Sequence, residues 1–131
     1  MSIKISIKNS LNQKSVKNHV FFTNKNFKIN ELSKLPISKF SSFINQSLSS
    51  NELGDKNFLS LDINASQKVI LIKIKDSQSP FDIEKIGAEF YVYLKSNSYL
   101  KTTFYEQNIR NTFPKNKFFF DQFAQGLQLK S

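Results

Sequence analysis

The longest aliphatic run in the chain, Val69-Ile70-Leu71-Ile72, sets the tightest limit on its fold. With Lys73 and Ile74 it reads as a mostly apolar strand, buried at least over Val69–Ile72, and such a strand needs other layers to cover it. The run is far shorter than the ~20 residues that span a bilayer. Just upstream, Phe58, Leu59, Leu61 and Ile63 suggest another strand and Asn64-Ala65-Ser66-Gln67 a turn. The two strands can form a hairpin, and a parallel pairing of 69–74 with a different strand is also open.

Downstream lies the clearest helix signal. Ser79 is a good cap, Pro80 suits the first helical position, and Asp82 stands three residues after the serine. Ile83, Ile86, Gly87, Phe90 and Leu94 form its inward stripe. A glycine inside a helix costs about 1 kcal/mol against alanine, so Gly87 is expected to admit a close neighbour.

The remaining elements follow from periodicity. Ile3, Ile5 and Ile7 alternate with Lys4, Ser6 and Lys8 as in a half-buried strand, and His19-Val20-Phe21-Phe22-Thr23 reads as a second. Asn30 begins a helix that must stop near Pro36, and Ser38 caps another with Phe40, Phe43, Ile44 and Leu48 on one face. Thr102-Thr103-Phe104-Tyr105 is a strand, and 114–130 a final helix with Phe119, Phe120, Phe123, Ala124 and Leu127 on one side. The order β-β-α-α-β-β-α-β-α predicts a single α/β domain of three layers, a mixed β-sheet flanked by helices. No Gly or Pro stop follows Leu129, which suggests a domain cut from a longer protein.

Composition narrows function. The 131 residues include no Cys, one His (His19) and only three Gly, so thiol chemistry and a glycine-rich phosphate loop are excluded. The N-terminus has no continuous apolar stretch of signal-peptide kind, and the chain is expected to be cytoplasmic, with no membrane contact. His19 is the only neutral-pH base, and its plainest reading is a strand or strand-edge histidine. Asp76, Asp82, Glu84 and Glu89 surround one helix start and its outer face, where they complement the helix dipole. Lys117-Phe118-Phe119-Phe120 resembles a base-stacking stretch, but the helical spacing after it assigns the rings to the core. Tyr91, Tyr93, Tyr99 and Tyr105 read as amphipathic boundary residues.

The net charge of +9 is unevenly placed. Residues 1–30 carry Lys4, Lys8, Lys14, Lys17, Lys25 and Lys28 and no acid, whereas 31–131 hold 13 basic and 10 acidic residues. Lysine supplies 18 of the 19 basic residues, beside 14 Asn and 18 Ser, which A+T-rich codon usage can produce by itself. An acid-free face of this kind can attract a polyanion or meet an acidic domain or subunit.

Three segments together resemble the N-terminal, non-catalytic domain of the leucine aminopeptidase (cytosol aminopeptidase) family of metallopeptidases. They are Lys68–Ile74, with a basic residue before an aliphatic run, the small pair in Ile86-Gly87-Ala88, and Phe123-Ala124-Gln125-Gly126-Leu127-Gln128-Leu129. The last is similar to the family's Ala-x-Gly-Leu-x-Leu stretch leading toward the catalytic domain. The resemblance covers nearly the whole chain and implies a macro-domain-like fold. It also implies a parent enzyme that releases N-terminal residues from peptides with two divalent metals, zinc, manganese or magnesium. Those metals belong to a C-terminal catalytic domain outside 1–131, whose Asn-Thr-Asp-Ala-Glu-Gly-Arg signature is absent here, so no catalytic or metal residue transfers to this segment. The implied partners are that catalytic domain and other subunits of a homo-hexamer. From a different class, the alternative is a small basic nucleic-acid-binding domain using residues 1–30, and a stand-alone domain holding a nucleotide-like ligand is a third.

Overall fold

The computed structural model describes residues 4–8, 18–24, 44, 46, 57–63, 65–75, 79–99, 101–112 and 119–130. Five strands form one mixed sheet: β1 (Lys4–Lys8), β2 (Asn18–Thr23), β3 (Phe58–Asp62), β4 (Lys68–Lys73) and β5 (Lys101–Tyr105), in the order β1-β5-β2-β4-β3. β1, β5, β2 and β4 run parallel, and β3 returns antiparallel on β4. The aliphatic strand therefore makes both pairings that the sequence left open: a hairpin with β3 on one side and a parallel ladder with β2 on the other.

Alternation along β4 divides the core. Ile70 and Ile72 join Val20, Phe22 and Phe104 on one face, beneath α1 (Pro80–Ser96) and α3 (Phe119–Lys130). Val69 and Leu71 lie on the opposite face with His19 and Phe21, and all four are buried. Rings knit the helix-covered layer together. Phe123 meets Phe22 edge-on at 5.1 Å between centroids, and Phe90 and Phe104 complete the cluster.

α1 starts as its sequence predicts. Asp82 N–H donates to Ser79 Oγ at 3.2 Å, and the Asp82 carboxylate accepts from Ser79 N–H at 3.1 Å, behind Pro80. The Asn97 amide donates to Tyr93 O at its end, and Ser98 enters the left-handed region at φ 58°. Gly87 admits the close neighbour expected of it. A β-carbon there would overlap the Phe123 carbonyl and lie 3.3 Å from the Gly126 Cα.

Two details depart from the sequence reading. A short helix, α2 (Glu106–Thr112), follows β5 directly and carried no apolar stripe to announce it. The final helix is described from Phe119, and 114–118 lie outside the described residues. Ile5 and Ile7 are 38% and 48% exposed, not half-buried as a pair, because β1 is the outermost strand among the described residues. The helix expected from Asn30 lies outside the described residues, and of the helix expected after Ser38 only Ile44 and Gln46 are described, both helical.

Candidate functional site

The sheet brings His19 and Tyr105 together across β2 and β5. His19 Nδ1 lies 2.6 Å from the Tyr105 hydroxyl, and its Nε2 lies 3.2 Å from the Gln67 side-chain amide. His19 is 3% exposed. Burial without a compensating charge lowers its pKa to about 4, and burial pushes the Tyr105 phenol up to about 12. The imidazole is thus neutral and the phenol protonated; the Gln67 amide nitrogen can only donate, so Nε2 accepts from it and the ring's own N–H sits on Nδ1, donating to the Tyr105 hydroxyl oxygen. With both nitrogens engaged and the residue buried, this histidine is part of the core.

Asn108 at the root of α2 completes the same wall. Its Oδ1 accepts from Phe22 N–H at 2.7 Å, and its Nδ2 donates to Phe22 O at 3.1 Å. The β2–β5 ladder pairs only His19 with Thr103 and Val20 with Phe104, and one side chain takes over the next backbone position. Tyr105, read as a boundary residue, is buried and stacks on Phe21 at 5.1 Å, while Tyr91, Tyr93 and Tyr99 are half-buried.

The basic residues divide differently. Lys4 and Lys8 lie on β1, and Lys4 is exposed. Lys14, Lys17, Lys25 and Lys28 lie outside the described residues. Parallel pairing sets Lys101 of β5 in register with Lys4, so a lysine from the second part of the chain joins this edge. Counting charge along the sequence could not find it, because the two lysines meet only through the register.

Among the carboxylates, Asp82 serves the helix cap, Asp62 pairs with Lys68 at 2.5 Å, and Glu106 pairs with Arg110 one turn on. The Asp62 contact raises the Lys68 pKa. Asp76 lies outside the described residues. Among the described residues no three His, Asp or Glu side chains converge on a point that could hold a metal ion. An open groove along α3 is lined by Asp121, Ala124, Gln125 and Gln128. No described helix is long and apolar enough to cross a membrane.

Against known proteins, no family model matches this sequence, and no curated protein matches it. Among solved structures the chain is similar to a mutant of tomato leucine aminopeptidase, with a TM-score of 0.59 and 15% sequence identity. The likeness covers 99% of this chain and 28% of that one. What the two share is the fold. The chain spans less than a third of the tomato enzyme's length. The three segments that carry the sequence resemblance fall on β4, in α1 and in α3, and the latter two pack on one another at Gly87 and Gly126.

Proposed function

We propose that this chain is the non-catalytic accessory domain of a dimetal leucyl aminopeptidase, serving interdomain packing and oligomer assembly. The observation that carries the reading is the fold likeness, which takes in nearly all of this chain and a minor share of an aminopeptidase. The side chains agree with it. The one histidine is buried with both ring nitrogens engaged, and three of the described carboxylates serve a cap or an ion pair.

A surface for packing is present on α1. Phe81 is 74% and Val92 51% exposed, and about three turns of helix separate them on one side of α1. A neighbouring domain that covered both would remove two exposed apolar side chains from water, with Lys85 and Ala88 between them. The parent's two metals, zinc, manganese or magnesium, would be held by the catalytic domain.

The purified chain, assayed with leucine p-nitroanilide and added Mn²⁺, should release no more nitroaniline than buffer does. Turnover that survives repurification would overturn the non-catalytic assignment.

A further inference from the structure

β1, the outermost strand among the described residues, carries a pattern that no other described strand shows. Ile5 and Ile7 are in register with Thr102 and Phe104, on the face that α1 and α3 cover farther along the sheet, yet both isoleucines remain open to solvent. Thr102 is buried, and its hydroxyl has no hydrogen-bond partner among the described residues. Lys4, Ser6 and Lys8 occupy the alternate positions, with Lys4 beside Lys101. One side of this edge is therefore apolar and the other basic.

We propose that β1 accepts an extended segment of a partner protein as a further strand, one in which apolar residues alternate with acidic ones. An outermost strand offers a row of backbone N–H and C=O groups for pairing. Because side chains alternate along a strand, an added strand in register would set its apolar residues against Ile5 and Ile7. Its acidic residues would then stand on the side of Lys4, near Lys101. Edge lysines ordinarily guard against indiscriminate strand pairing; here they admit a partner of opposite charge and reject the rest.

A second copy of this chain fits poorly, since joining two β1 edges would set lysine against lysine on chains of net charge +9. A nucleic acid would engage the lysines but would leave the isoleucines and the strand's backbone unused. The inference stands whether or not the accessory-domain reading holds.

The test is fluorescence anisotropy with the whole chain and a labelled peptide of alternating glutamate and valine. Two competitors accompany it: a peptide of equal composition with its glutamates and valines in separate blocks, and a single-stranded oligonucleotide. The alternating peptide should bind at least roughly tenfold more tightly than the block peptide. Its binding should slow amide exchange over residues 4–8. Substituting Ile5→Thr and Ile7→Thr together, which preserves strand preference, should weaken binding several-fold while circular dichroism is unchanged. Equal binding of both peptides, no binding at low salt, or an oligonucleotide that binds more tightly than the alternating peptide would each overturn the proposal.

Discussion

Gly87 and Gly126 face one another across the crossing of α1 and α3, and neither has room for a β-carbon. At Gly126 the added carbon would overlap the Glu84 carbonyl oxygen and lie 2.9 Å from the Ala88 nitrogen; at Gly87 it would strike the Phe123 carbonyl. All the obstructing atoms are backbone, so no rotamer change can relieve the overlap.

Gly87→Ala and Gly126→Ala should each destabilise the domain by about 1–3 kcal/mol, through forced separation of the helices. Helix propensity alone would favour alanine at either site by about 1 kcal/mol, so the two effects oppose in sign. Urea denaturation decides between them, and a stabilised variant would show that the helices do not meet there.

Acid should weaken the fold through His19. Its pKa falls from 6.5 to about 4 on folding, so the unfolded chain binds the extra proton between those values. Stability therefore rises with pH over that window and is lost as pH falls through it, by about 3 kcal/mol in full. The difference between the native chain and His19→Gln, followed by urea midpoints from pH 3.5 to 8, isolates this contribution from the carboxylates. A difference that does not change across the window would contradict a neutral, buried imidazole.

Asn108→Ala removes the side chain that satisfies both backbone groups of Phe22. Buried polar groups left without partners cost about 1–3 kcal/mol each, and a combined loss of about 2–4 kcal/mol is expected from thermal or urea unfolding. A change below about 0.5 kcal/mol would mean that β2 finds another partner at that point.

The layered fold was legible because its signals are local and agree with one another. The Val69–Ile72 run, the Ser79-Pro80-Asp82 start and the Ile83–Leu94 stripe each specify one element, and Gly87 pointed to a close approach. The polar wall was not legible, because His19, Gln67, Tyr105 and Asn108 are scattered in sequence and meet only once β2 and β5 lie side by side. α2 escaped notice for a different reason: Glu106–Thr112 holds one large apolar residue, Ile109, too few to show a period. Ile5 and Ile7 alternate as a core-facing strand would, and only the strand order shows that β1 lies at the rim.

Ser98 closes α1 with a φ of 58°, a conformation glycine adopts without β-carbon strain. Ser98→Gly should stabilise the domain by about 0.5–1 kcal/mol once the glycine's extra freedom in the unfolded chain is subtracted. A lower melting temperature for the variant would argue against the left-handed turn.

The accessory-domain reading is tested most directly on the native protein. Antibodies raised against this domain should recover, from the cells that make it, a product several times heavier than 15.2 kDa. That product should hydrolyse leucine p-nitroanilide, lose the activity to a chelator and regain it with Mn²⁺. Recovery of the domain in an assembly with no metal-dependent leucyl hydrolysis would contradict the account.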